Sequence, residues 1–177
     1  MSSIEPCELP ANALLRKYNI QGAYTDCYAT EVACPITRAD YVEAFYTTGV
    51  FKLERLVLDW LASKPSTDDE ARQLAIGARD TFAAWTVEEQ APDQLLLREI
   101  SGRTRSWLMV AATNHGDHAG STRLYFGSAV VPVVDSRTGK TTLGSNFRAL
   151  LGFHKLYSRV LLHAARSRLL RQPRGTA

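Results

Sequence analysis

Between residues 81 and 134 the chain carries four strand-like stretches in succession, 81–90, 94–100, 104–114 and 122–134. Only short turn sequences part them: "APD", "SG" and the opening "HGDHAGS". Connections this short join antiparallel neighbours, because a parallel crossover needs a dozen residues or more. The region therefore reads as an antiparallel meander, and everything else must pack on its faces. After the turn "DSRTGKTTLGS", residues 145–170 read as one long helix capped by Ser145 or Asn146.

Upstream, "YTDCYATEVA" (24–33) has the β-branched and aromatic content of a strand, and Pro35 ends it because proline donates nothing to a ladder. Thr37 with Asp40 three residues later forms a capping-box variant. The helix it starts carries Tyr41, Phe45, Leu53, Leu56, Val57, Trp60 and Leu61 at mostly three- and four-residue spacings, interrupted at "TTGV" (47–50). Pro65 and Ser66 break it, and "STDDEARQLAIGAR" (66–79) restarts a helix with acids in its first turn. Residues 1–22 read as a loosely attached lead-in with one short helix around 11–18. Residues 23–170 form a single domain, and 171–177 read as a disordered tail.

Composition bounds the class. A chain of 177 residues, 45% hydrophobic and 22% charged, suits one globular domain. No apolar run reaches the roughly 18–20 residues of a membrane span, so membrane insertion is not expected. "MSSIEPCELP" lacks the basic and apolar regions of a signal peptide. Three cysteines, Cys7, Cys27 and Cys34, without CxxC spacing argue against a disulfide framework or structural zinc and favour reduced thiols, hence a cytoplasmic expectation. Charge is uneven: residues 1–135 hold 12 basic and 18 acidic residues, whereas 136–177 hold 9 basic residues and no acid. That asymmetry raises the question of an anionic partner.

The order strand, two helices, meander, long C-terminal helix resembles the START-like (SRPBCC, helix-grip) superfamily, over roughly residues 22–170. The stretches "EAFYTTGVFKLERLVL", "SGRTRSWLMV" and "FRALLGFHKLYSRVLL" are similar to an uncharacterised bacterial branch of it. The fold the resemblance implies is α+β: a curved antiparallel sheet packed against the C-terminal helix, with a helix pair inserted after the first strand and a pocket between sheet and helix. The sequence offers five clear strands where that superfamily usually has six or seven. A cystatin-like α+β roll fits less well, because such rolls place their long helix before most of the sheet.

On the long helix, Phe147, Leu150, Leu151, Tyr157, Leu161, Ala165 and Leu169 share one side, with His154 and Ser158 near its centre. His154 is either a neutral core histidine, hydrogen-bonded to Ser158, or a pocket-wall donor or general base with Tyr157 nearby. Arg148, Lys155, Arg159 and Arg166 form a separate stripe, a solvated face or a contact for an anionic surface. No nucleic-acid motif accompanies it, so nucleic acid is not an expected partner. On the meander, Arg105 and Trp107 share a side of their strand and, with Arg98 on the next, could meet an acidic ligand. Trp85, Met109 and Tyr125 read as core or pocket lining, and Glu88, Glu89 and Glu99 as outward-facing. His115, Asp117 and His118 have metal-ligand chemistry, but their glycine-rich turn reads first as a polar hairpin loop.

Three functions remain open at this point. One is a binding module for a small hydrophobic or amphipathic ligand, lined by Trp85, Arg105, Trp107, Tyr125, His154 and Tyr157. The second is a cyclase, hydratase or isomerase using His154 as acid/base, with Tyr157 or Arg105 steadying an oxyanion. The third is an interaction domain whose core is filled. No cofactor is implied, and oligomeric state is not legible.

Overall fold

The computed structural model describes residues 3–51, 66–113, 120–134, 141–142 and 147–171, with the backbone alone at 133–134, 141–142 and 147–154. The chain runs β1 (Glu5–Pro6), α1 (Arg16–Ile20), β2 (Tyr24–Val32), α2 (Arg38–Tyr46), α3 (Asp68–Ala75), β3 (Thr81–Phe82), β4 (Trp85–Ala91), β5 (Gln94–Glu99), β6 (Thr104–Thr113), β7 (Ser121–Val130), β8 (Val133–Val134), β9 (Thr141–Thr142) and α4 (Phe147–Arg171).

Seven strands form one antiparallel sheet in the order β1-β2-β7-β6-β5-β4-β3, and β8 pairs separately with β9. The meander closes onto the first long strand: β2 pairs with β7 from Tyr24 opposite Val130 to Val32 opposite Thr122. The fold is thus α+β, an open antiparallel sheet with a C-terminal helix. The two strands beyond the five legible in the sequence are edge strands of two residues each, β1 and β3. Two residues are too few for a period-two pattern to register. β3 arises because the stretch 81–90 folds back on itself, Phe82 opposite Trp85, through Ala83 at φ 51.

The helix ends follow the local chemistry. Thr37 and Asp40 exchange both bonds of a capping box at α2, and Thr67 and Glu70 do the same at α3. At 47–48 the threonine hydroxyls turn back on the helix: Thr47 Oγ1 donates to the Glu43 carbonyl and Thr48 Oγ1 to that of Phe45, while Thr48 Oγ1 accepts from the Phe51 amide. The chain bends there and restarts a helical turn at 49–51. α3 ends sooner than the sequence pattern, which ran to 79. Gly77 at φ 76 lets the Ala78 amide reach Gln73 and the Gly77 amide reach Leu74, a Schellman end. The short N-terminal helix lies at Arg16–Ile20, later than the 11–18 read from sequence.

Strand periodicity divides the sheet into two apolar faces. One takes Tyr28, Val32, Leu95, Leu97, Leu108, Leu124 and Phe126 against α2, α3 and α4, which bring Tyr41, Phe45, Tyr46, Leu74, Leu161, Leu162, Ala165 and Leu169. The other takes Cys27, Leu96, Trp107, Met109 and Ala129, covered by Ala13, Leu15 and Tyr18. Residues 7–23 are therefore a strap across the back of the sheet, not a loose lead-in. Gln94, itself buried, pins the strap. Its Oε1 accepts from the Leu14 amide and from Trp107 Nε1, both at 2.9 Å, and its Nε2 donates to the Asn12 carbonyl at 3.0 Å. Gly127 leaves room for the fit: a Cβ there would stand 2.8 Å from the Asp26 carbonyl oxygen and 3.0 Å from both Leu15 and Trp107.

Candidate functional site

The helix-side face is not filled evenly. A cavity of about 150 Å³ lies between β4, β6 and β7 of the sheet, Phe45 of α2, Phe51, and Tyr157, Ser158 and Leu161 of α4. Its apolar wall is Phe45, Phe51, Trp85, Phe126 and Leu161. Its polar side is a row laid across three neighbouring strands. Ser106 of β6 stands opposite Ser128 of β7, and Ser128 opposite Asp26 of β2. Ser128 donates to Asp26 Oδ1 through both its hydroxyl, at 2.6 Å, and its amide, at 3.1 Å. Ser106 Oγ lies 3.2 Å from Tyr46 Oη, and buried Ser158 approaches from the helix. Phe126 and Leu108, one step along the same strands, are apolar. The row is therefore a local polar interruption of a hydrophobic face. It sets hydroxyl groups at the edge of an apolar cavity.

Of the residues singled out in the sequence, Trp85 and Tyr157 line this cavity. Arg105 borders it with its strand, but its guanidinium lies on the opposite face. Trp107 and Tyr125 do not face the helix at all; they sit against each other on the strap side, ring centroids 6.2 Å apart. The reason is parity. On β6 the odd-numbered residues from Arg105 to Ala111 point at the strap, as do Tyr125 and Ala129 on β7, so the pocket lining proposed for Trp107 and Tyr125 is corrected. The side chain of His154 lies outside the described residues, as do His115, Asp117 and His118. Among the described residues no group of three or more His, Cys, Asp or Glu could hold a metal.

Arg105 meets an acidic group on the back face, and that group is the protein's own. Its Nε donates to Glu88 Oε2 at 2.6 Å and to Tyr18 Oη at 2.8 Å, with the guanidinium stacked 4.7 Å from the Tyr18 ring centre. Tyr18 donates to Glu88 Oε1, and Lys17 Nζ lies 2.8 Å from the same oxygen. Glu88, read as outward-facing, shares the strap-side parity of Thr86 on β4, and a bulge between Val87 and Glu89 brings Glu89 to the same side, where Lys17 meets both. Burial raises the Glu88 carboxyl, but the Lys17 and Tyr18 hydrogen bonds and the Arg105 charge outweigh it, and its pKa ends below the ordinary value. On the front face, burial first, then the neighbouring Asp26, pushes the Tyr24 phenol up to about 12.

The basic stripe of α4 is partly engaged. Arg159 lies 5.5 Å over the Tyr28 ring, Arg166 Nε donates to the Glu31 carbonyl at 3.1 Å, and Lys155 is exposed. The side chain of Arg148 is outside the described residues. Among the described residues no helix is long and apolar enough to cross a membrane.

Sequence reasoning missed Ser106, Ser128 and Asp26. Each breaks the apolar alternation at an inward position, a signal that becomes readable only once the inward face of each strand is known. The chain matches no family model, no curated protein and no solved structure.

Proposed function

We propose that the protein binds one small amphipathic molecule, an apolar ring or short chain with a hydrogen-bonding head, in the cavity between sheet and C-terminal helix. The observation that carries the reading is the hydroxyl row of Ser106 and Ser128, backed by Asp26, at the floor of a cavity walled mainly by apolar side chains. Polar groups inside a core cost stability unless they are hydrogen-bonded, and here Asp26 and Tyr46 hold the two serines in place. Size limits the ligand: cavities of about 150 Å³ accept a benzene-sized molecule, whereas drug-sized ligands occupy about 300–1,000 Å³. The helix-grip resemblance is part of the same proposal, supported by a first long strand, intervening helices, and a meander whose last strand returns beside the first. A filled-core interaction domain is the second reading, favoured by the small volume and by Leu156 and Leu170 standing 61% and 51% exposed on α4.

The test is a thermal-shift series with phenol, benzyl alcohol and indole, alongside native mass spectrometry of the chain as purified. Binding that is present in the native sequence and abolished by Leu161→Trp, which fills the cavity, is the expected result. A bare mass with no shift for any probe, and a Leu161→Trp variant destabilised by overpacking, would leave the filled-core reading standing.

A further inference from the structure

The two thiols on the back of the sheet are in contact. Cys7 and Cys27 are both free, and their Sγ atoms lie 3.2 Å apart. The contact is built by the fold. β1 pairs with β2 as Glu5 opposite Ala29 and Pro6 opposite Tyr28. One further step of that register places Cys7 opposite Cys27, and the Cys7 amide donates to the Cys27 carbonyl at 3.0 Å. Directly opposed residues of an antiparallel pair stand about 4.5–5.5 Å apart at Cα, within the span a disulfide bridges. No backbone rearrangement is needed to join them.

We propose that Cys7 and Cys27 form a redox-active dithiol that takes up a low-molecular-weight disulfide such as oxidised glutathione and closes into an intramolecular disulfide, fastening the strap to β2. Cys7 is the entry point because it is partly exposed, whereas Cys27 is buried. The chemistry favours the same order. The hydrogen bond from Cys27 holds the Cys7 thiol below its ordinary pKa against the effect of burial, with Arg123 adding to the lowering. The same bond, then burial, pushes Cys27 up. The Cys7 thiolate attacks one sulfur of oxidised glutathione, whose S–S bond breaks and releases one glutathione thiolate. Cys27 then loses its proton and attacks Cys7 Sγ, expelling the second glutathione. Two protein thiols are oxidised to one disulfide, and oxidised glutathione is reduced to two thiols.

Cys34 serves as an internal control. It lies after β2 and packs with the helix-side core, on the other side of the sheet. The folded full-length protein is incubated with oxidised glutathione, its remaining thiols are alkylated, and the intact mass and cysteine peptides are read. The expected product has lost two hydrogens, carries one alkyl group on Cys34, and yields a linked Cys7–Cys27 peptide. Cys34→Ser should behave like the native sequence. Cys27→Ser should stop at a glutathione adduct on Cys7, and Cys7→Ser should react more slowly than either. Closing this loop should raise the melting temperature by about 5–10 °C. A glutathione adduct that accumulates on Cys7 of the native sequence without linkage, a bridge involving Cys34, or no reaction at all would each overturn the proposal.

Discussion

Replacing Gln94 by leucine isolates the anchor of the strap. Leucine keeps much of the side-chain volume and removes all three hydrogen bonds that the amide makes to Leu14, Trp107 and Asn12. Two of the stranded groups are donors, and Trp107 is fully buried, so water cannot reach its Nε1 without opening the structure. A buried polar group left without a partner costs about 1–3 kcal/mol. Three such groups set an upper bound that the molecule evades by lifting the strap, at the expense of exposing Leu15 and Tyr18, each worth about 1.5–3 kcal/mol of burial. The cheaper route wins, and a loss of about 3 kcal/mol is expected. For a chain of this size that is a fall in melting temperature of about 6–12 °C. Guanidinium denaturation supplies the free energy, and hydrogen exchange at the Leu14 amide reports whether the strap has lifted. Trp107→Phe removes one stranded donor in advance, so the double variant should lose less than the two single changes together. A loss below about 1 kcal/mol with unchanged Leu14 protection, or strict additivity in the double variant, would show that Gln94 is not the anchor.

Two further changes probe the same face. Gly127→Ala places a Cβ against the Asp26 backbone oxygen at 2.8 Å, which no side-chain rotation relieves, and should cost about 1–3 kcal/mol in urea denaturation; a change within about 0.5 kcal/mol would contradict the close packing. Glu88 has a folded pKa below its ordinary value of 4.5. Its contribution is therefore fully present above the unfolded value and is lost as pH falls through the lower folded one. Glu88→Gln should flatten the stability profile in that acid range, and an unaltered profile would count against the network. Arg105→Leu, which leaves Glu88 half-buried beside Lys17 and Tyr18, should cost about 3 kcal/mol at neutral pH, measured by the same denaturation.

Much of the fold could be read in the sequence because its signals are local. The capping box at Thr37 depends on residues three apart, the helix restart after Pro65 on acids in its first turn, and the short meander turns leave only antiparallel neighbours. The long helix, read as 145–170 and found at Phe147–Arg171, follows from one amphipathic period. The strap was not legible, because Leu14, Leu15 and Tyr18 are held by partners 70 or more residues away, Gln94, Trp107 and Glu88. The site was half legible for a related reason. Trp85 and Tyr157 face the cavity, but assigning Trp107 and Tyr125 required knowing that both sides of the sheet are covered. With two covered faces, an aromatic residue at an odd position is as well buried as one at an even position. Hydrophobicity alone then gives no direction.

The two faces are mechanically joined through adjacent residues. Ser106 and Trp107 are neighbours on β6, as are Gly127 and Ser128 on β7, and Trp107 stands opposite Gly127 just as Ser106 stands opposite Ser128. On the back, Leu15 and Trp107 close on Gly127 to van der Waals distance; on the front, the next rung carries the hydroxyls of the cavity floor. A strand cannot shift at one rung without shifting at the next, since successive side chains share a rigid peptide unit. The strap therefore does more than hide an apolar surface: by holding the Trp107–Gly127 rung, it holds the spacing at which Ser106, Ser128 and Asp26 line up. If the proposed ligand binds there, loosening the strap should weaken its binding in a cavity the strap never touches, and fastening it through Cys7 and Cys27 should act in the opposite sense.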